Sequence, residues 1–295
     1  MLPWNQADAY GFREGVVEAS AYRVRYWEKV GGAEGERPLL TVHGGGGTEV
    51  GLAHDLIAAD RRVICFEVPG FGEERDRVPQ DSEELAHVLA GAAEGLGIPE
   101  YSVMGTSMGG VSALWWASLY RDAVKAVVLE APAAFRIRDP DPALGEDPVA
   151  FQRAFHAQPQ RKPWASEIAA PPNPELLVTL MGPMRDARLE EAVKALRSPI
   201  AAEDSGDADN PFSDRGEAPP KTPVLILWGT EDGVLPKDQG REVLAAMPHG
   251  HLIYVYDAAH DLKGDRPEAF AGVVRDFLTY GDRFVVRHEP TLVNP

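Results

Sequence analysis

Short apolar runs recur along the chain, and stretches of helical spacing separate them. "PLLTVH" (Pro38 to His43), "RRVICFEV", "YSVMG", "VKAVVLEAP", "TPVLILWG" and "HLIYVYD" are apolar at nearly every position instead of alternating. Continuous runs of this length suit strands covered on both faces, hence a parallel sheet whose crossover helices pack on either side. Upstream, "GVVEAS" and "YRVRYWEK" alternate polar and apolar residues and predict an antiparallel hairpin. The intervening helices are read from "EVGLAHDLIAAD", "DSEELAHVLAGAAEGLG", "GGVSALWWASLY", "PKDQGREVLAAMP" and "RPEAFAGVVRDFLTY". Asp81 is placed to cap the second of these, Gly97 to end it, and Pro267 to open the last. The tail "GDRFVVRHEPTLVNP" holds one short apolar run, suited to an added strand or to contact with a partner.

The pattern changes after Pro132. Fifteen of the 25 prolines fall between Pro132 and Pro223, and no strand-like run interrupts them. Helical pieces remain in "PVAFQRAFHA", "PELLVTLMG" and "ARLEEAVKALRS", and "AAEDSGDADNPFSDRGEAPP" reads as an exposed acidic loop. Residues 133–219 are therefore expected to form a helical insertion. It divides one core domain into 1–132 and 220–295. The fold class is α/β: a doubly wound, mostly parallel sheet.

Charge narrows the partners. Asp plus Glu number 46 against 29 Lys plus Arg, a net charge of −17. Such a surface repels nucleic acid and anionic membranes. No apolar run reaches the roughly 18 residues of a membrane span, and the N-terminus lacks the basic and apolar regions of a signal peptide. The expectation is a soluble, cytoplasmic monomer or homodimer that acts on a small molecule without a metal or cofactor. The single cysteine, Cys65, lies in a strand-like run and reads as a core residue, so no intramolecular disulfide can form.

Chemistry enters at "VMGTSMGGVSA", where Gly105-Thr106-Ser107-Met108-Gly109 separates a strand from a helix. A serine at so sharp a turn is crowded by its neighbours two residues away, and glycine at both lets the turn close. Its hydroxyl then stands at a helix N-terminus, above the carboxyl end of the sheet. A hydroxyl attacks only when a base takes its proton. Of eight histidines, His260 alone follows a late strand and precedes the final helix. His43, His54, His87, His156, His249, His251 and His288 fall in helices, at strand ends, in the insertion or in the tail. The acid that orients the imidazole is read as Asp232, just past "PVLILW". Glu130, at the end of an earlier strand, is the alternative acid or else a polar wall of the pocket. Asp261 is expected to point away from the ring. Oxyanion donors are the N–H of Met108 and an N–H of "HGGGGT", with Gly45 the first choice and Gly46 the second. That loop lacks the Lys-Ser/Thr of a phosphate-binding loop.

The order HGGGG, PGFG, G-x-S-x-G, helical insertion, GTED and a lone histidine resembles the α/β-hydrolase fold over roughly residues 20–280. The resemblance implies an eight-stranded, mostly parallel sheet with a helical cap between strands six and seven. Glu67 and Glu74 replace the family's Asp and Ser in "FEVPGFGEE", and Ala259 stands where many members have Gly. A serine nucleophile sets the chain apart from the dehalogenase and epoxide hydrolase branches. "GTSMGG" is similar to the "GNSMGG" of C–C bond hydrolases, with Thr106 for Asn, but those enzymes usually have Trp after the histidine, where this chain has Asp261. The leading expectation is a carboxylic ester or lactone hydrolase. The alternatives are a C–C hydrolase of vinylogous diketones, a cofactor-free perhydrolase or acyltransferase, and a small-molecule receptor of the same fold. Phe135, Arg136, Trp164 and Met181 are candidate pocket residues. Phe151, Phe155, Leu177, Leu180 and Met184 are apolar residues for the same lining, or glue between cap and core.

Overall fold

The apolar runs become the strands of one sheet. The computed structural model describes residues 5–32, 36–72, 77–145, 147–158, 171–197, 222–247, 249–281 and 292–293. The strands are β1 (Arg13–Ala19), β2 (Tyr22–Lys29), β3 (Leu39–Val42), β4 (Val63–Phe66), β5 (Tyr101–Thr106), β6 (Val124–Glu130), β7 (Val224–Gly229), β8 (His251–Val255) and the two-residue β9 (Leu292–Val293). Their spatial order is β1-β2-β4-β3-β5-β6-β7-β8-β9. Strands β3 to β8 pair in parallel, while β1, β2 and β9 are antiparallel to their neighbours. The eight expected strands are present; the tail's apolar run at 284–286 lies outside the described residues, and β9 pairs antiparallel with β8.

The helices are α1 (Leu52–Ala58), α2 (Ser82–Gly95), α3 (Met108–Leu119), α4 (Pro148–Phe155), α5 (Pro174–Met181), α6 (Ala187–Ala192), α7 (Lys194–Arg197), α8 (Gln239–Ala246), α9 (Leu262–Asp265) and α10 (Pro267–Tyr280). Capping follows the sequence signals. Asp81 accepts from the N–H of Glu84 at 2.8 Å, Gly97 takes φ +70 after α2, and Pro267 opens α10. "ARLEEAVKALRS" forms two short helices, α6 and α7, with a turn at Val193 instead of one continuous helix. Strands β3, β4, β5 and β7 are buried at every position, as a sheet covered on both faces requires.

Between β6 and β7 the described chain is helical, α4 to α7, and it is tied to the sheet edge at several points. Arg136 donates to the carbonyls of Met181 (3.1 Å) and Gly182 (2.8 Å) at the end of α5. Ser82 donates to the carbonyl of Leu180, and Asn173 to that of Gly70. The carboxylate of Asp265, fully buried, accepts from the N–H groups of Ala157, Gln158 and Ala259. The acidic stretch near 203–218 lies outside the described residues.

Candidate active site

One residue separates β5 from α3, and that residue is Ser107. Its backbone sits at φ 52, ψ −115, in a region that L-residues rarely adopt and that costs on the order of 1–3 kcal/mol. Three main-chain hydrogen bonds hold it there. Ser107 N donates to Glu130 O (2.8 Å), and Ser107 O accepts from Gly110 N (3.0 Å) and Ala133 N (2.9 Å). The glycines have steric reasons. A Cβ on Gly105 would lie 2.3 Å from the carbonyl oxygen of Gly109, and one on Gly109 2.5 Å from those of Val42 and His43. A Cβ on Gly110 would press on Pro132 at 2.5 Å, which is helix-to-loop packing and not turn geometry.

His260 and Asp232 meet at the same carboxyl edge of the sheet. Nδ1 of His260 lies 3.0 Å from Oδ2 of Asp232, and both side chains are buried. The other oxygen of Asp232, Oδ1, accepts from the N–H groups of Val234 and Leu235, each at 2.9 Å. The carboxylate is therefore fixed by its own loop before it meets the ring. As an acceptor, it places the imidazole proton on Nδ1. Nε2 is left bare, and among the described residues this buried atom has no hydrogen-bond partner. The Phe155 ring covers the imidazole, with centroids 5.2 Å apart.

The structure gives Glu130 different work from that of an acid partner to histidine. Its Oε2 accepts from Thr106 Oγ1 (2.6 Å) and Lys263 Nζ (2.9 Å), and its Oε1 from Lys263 N (3.0 Å). This answers what Thr106 does beside the serine: its hydroxyl is bound to Glu130. Lys263 is also 3.2 Å from Glu49 and 3.4 Å from Asp261. Burial alone would lower the pKa of this ammonium, but Glu130 and Glu49 outweigh it and hold the proton above the usual lysine range. Asp261 does face away from the ring, with Oδ1 toward Lys263 and Gly264 N and Oδ2 3.5 Å from His156 Nδ1.

The glycine loop is set by His43. Nε2 of His43 accepts from Val68 N at 3.0 Å, so Nδ1 carries the proton and donates to Gly44 O at 2.6 Å. Burial pushes this imidazole down to about 4, which keeps it neutral. In a trans peptide the C=O and the following N–H point opposite ways. Fixing Gly44 O toward His43 therefore turns Gly45 N–H to the other side. A Cβ on Gly44 would be 3.3 Å from Ser107 Cβ, so this loop lies directly against the serine. Met108 opens α3, and its N–H has no partner within the helix. Gly46 has open space around its Cα, whereas a Cβ on Gly45 would strike Leu177 at 2.7 Å.

The pocket candidates divide. Arg136 is 4% exposed, and its guanidinium is taken by Ala133 O, Met181 O, Gly182 O and Asp139. It ties α5 to the core and is not presented to a substrate carboxylate. Phe135 is buried in the core at φ 52, and Met181 is half-buried against that core. Phe151 and Phe155 stack at 5.2 Å, Leu180 is buried, and Met184 is exposed. Trp164 lies outside the described residues. Sequence reasoning passed over Lys263 and Asp265. Asp265 carried a faint signal, an acid shortly after the candidate histidine; Lys263 carried none.

Other reactive side chains are withdrawn from chemistry. His54 is pushed down to about 4 by burial and then by the charge of Lys263. The buried Cys65 thiol is pushed up to about 12 by burial. Among the described residues, no helix is long and apolar enough to cross a membrane.

Comparison with known proteins places this geometry in context. A model described as alpha/beta hydrolase fold matches residues 37–267. The chain is 30% identical over 243 residues to the dihydrolipoyllysine-residue acetyltransferase component of the acetoin cleaving system of Pseudomonas putida, covering 78% of this chain. That match spans 62% of the relative, less than two thirds of its length. A 2-hydroxy-6-oxononadienedioate/2-hydroxy-6-oxononatrienedioate hydrolase of Burkholderia vietnamiensis (strain G4) is 29% identical over 288 residues, 89% of this chain and 93% of that one. The crystal structure of naproxen esterase from Bacillus subtilis superposes with a TM-score of 0.68 at 14% identity, covering 93% of this chain and 95% of that one.

Proposed function

The chain belongs to the alpha/beta hydrolase fold family, and within it we propose that the protein is a serine hydrolase that cleaves small carboxylic esters or lactones through an acyl-enzyme intermediate. One observation carries the reading. A buried imidazole has its Nδ1 on the Asp232 carboxylate at 3.0 Å and its Nε2 bare, at the same edge of the sheet as the strained Ser107.

The chemistry follows from those atoms. Nε2 of His260 takes the proton of Ser107 as its Oγ attacks the ester carbonyl, and a C–O bond forms. Asp232 holds the tautomer and stabilises the imidazolium. The oxygen that becomes negative is met by the N–H groups of Met108 and Gly45, with Gly46 as the neighbouring donor. Each such donor contributes roughly 3 kcal/mol of transition-state stabilisation. The imidazolium returns its proton to the departing alkoxide, leaving an acyl-serine. A water molecule, deprotonated by the same Nε2, then releases the acid. Helices α4 and α5 act as a cap over the site, with Phe155 and Leu177 as its apolar contacts to the His260 and Gly45 sides.

The test is turnover of p-nitrophenyl acetate and butyrate by wild type and Ser107→Ala, with fluorophosphonate labelling of the serine. Turnover and labelling by wild type alone are expected. Equal inactivity of both proteins, with small molecules still bound, would instead mark a receptor of this fold.

A second reading is C–C bond hydrolysis. The likeness to the Burkholderia hydrolase over most of both chains favours it, as does "GTSMGG". The engagement of Thr106 with Glu130, and Asp261 in the place of the usual tryptophan, count for the ester reading. A vinylogous 1,5-diketone assayed beside the esters decides between them.

A further inference from the structure

One ammonium lies where three segments of the site converge. Lys263, on α9, is 7% exposed, and its Nζ contacts three carboxylates: Glu130 at 2.9 Å, Glu49 at 3.2 Å and Asp261 at 3.4 Å. Each carboxylate belongs to a different part of the reaction geometry. Glu49 follows the glycine loop 44–47 by two residues. Glu130 accepts the Thr106 hydroxyl through its side chain, while its carbonyl accepts the N–H of Ser107. Asp261 directly follows His260, and its N–H donates to Phe155 O of α4 at 3.1 Å. The N–H of Lys263 itself adds a 3.0 Å bond to Glu130.

A buried lysine kept only for stability is a poor device. Desolvation offsets most of its attraction, and an apolar side chain of similar volume commonly serves as well. What the arrangement does supply is a single fixed point shared by the oxyanion loop, the nucleophile turn and the histidine loop. Misplacing a reacting group by about 1 Å costs about a hundredfold in rate, so such a point has catalytic value.

Resting on the serine-hydrolase reading above, we propose that Lys263 is a positioning residue that holds the glycine loop, the Ser107 turn and the His260 loop in register through Glu49, Glu130 and Asp261. It touches no reacting atom. Its contribution belongs to kcat and not to substrate binding.

The experiment compares wild type, Lys263→Met, Lys263→Met/Glu130→Gln and Glu49→Gln. Steady-state kinetics on p-nitrophenyl butyrate, the rate of fluorophosphonate labelling and Tm are measured on each. Lys263→Met is expected to lose about a hundredfold in kcat with KM within about threefold. Its Tm falls, because fully buried Glu130 is left without its cation. The double variant removes that charge and recovers Tm, yet kcat stays low; should the single variant not fold, the double one carries the test. Glu49→Gln frees only the glycine loop, with Tm kept and both kcat and the labelling rate reduced about fivefold, by a displacement smaller than 1 Å. A double variant with recovered Tm and wild-type kcat overturns the inference and makes Lys263 a structural residue. The same holds if wild type is labelled and every variant is labelled equally fast. A wild type that the fluorophosphonate does not label overturns the serine-hydrolase reading, and the inference falls with it.

Discussion

Replacing Asp232 by Asn changes one atom, and the structure dictates how the new side chain must sit. Oδ1 of Asp232 accepts two N–H groups, those of Val234 and Leu235, at 2.9 Å each. An asparagine that keeps both bonds turns its NH2 toward His260. Nδ1 must then accept a proton where it now donates one, and the imidazole is driven to the tautomer with its proton on Nε2. Flipping the amide to rescue the tautomer would forfeit two hydrogen bonds worth about 1–1.5 kcal/mol each. The working tautomer is thus disfavoured by about 2–3 kcal/mol, a factor of about 30–150. Losing the carboxylate's charge removes a further ~1.5–3 kcal/mol of imidazolium stabilisation, about 10- to 100-fold. The product is a fall in kcat of about 3 × 10²–2 × 10⁴ with little change in Tm. Stopped-flow or steady-state hydrolysis of p-nitrophenyl butyrate, with a thermal melt on the same sample, measures both. Retention of more than about a tenth of the wild-type kcat, less than 1.4 kcal/mol of barrier, would refute the tautomer argument. A large loss in Glu130→Gln without one in Asp232→Asn would move the acid role to Glu130.

Three other outcomes follow from the same geometry. Ser107→Ala and His260→Ala should each lose at least about a thousandfold in kcat, and the double variant should be little worse, because residues that act as a unit are not additive; near-additive losses would break the assignment. Gly109→Ala should lose at least about 2 kcal/mol in chemical denaturation, since its Cβ would lie 2.5 Å from two backbone carbonyl oxygens. Gly272→Ala, within α10 and with nothing within 4 Å of the new methyl, should gain about 0.5–1 kcal/mol; equal effects at the two sites would contradict the packing. His43 and His54 stay neutral in the fold down to about 4, against 6.5 for a free imidazole, so below 6.5 the unfolded chain binds protons that the fold refuses. Their stabilising contribution is complete above pH 6.5 and declines as pH falls from 6.5 to 4. His54→Gln should flatten that decline in urea midpoints taken across the interval, and an unchanged slope would refute it.

Local sterics and chain order made much of this legible in advance. Gly105 and Gly109 betray the turn because the crowding they relieve lies four residues on, at the carbonyl of Gly109, or at the end of the adjacent strand β3. Asp232 and His260 could be named because each follows an apolar run that must end at the same edge of a parallel sheet. Contacts between distant segments were not legible. By sequence Arg136 is a candidate pocket residue, and only the placement of α5 shows its guanidinium spent on the carbonyls of Met181 and Gly182. Glu130 competed for the acid role because nothing in "HDLKGD" announces that Lys263 folds back 133 residues to claim it. The break of "ARLEEAVKALRS" at Val193 was likewise not legible, since its residues favour a helix throughout.

If the proposed chemistry holds, the backbone of Ser107 sets catalysis against stability at a single dihedral angle. At φ 52 the chain would be better served by glycine, which visits that region without penalty. The hydroxyl is thus carried at a standing cost to the fold, and Ser107→Gly should melt higher than wild type while hydrolysing nothing. A lineage released from the need to turn over substrate would find its easiest route to a sturdier protein in losing this one side chain. Under the proposed chemistry, the strain at this angle is stability given up to keep the hydroxyl in place.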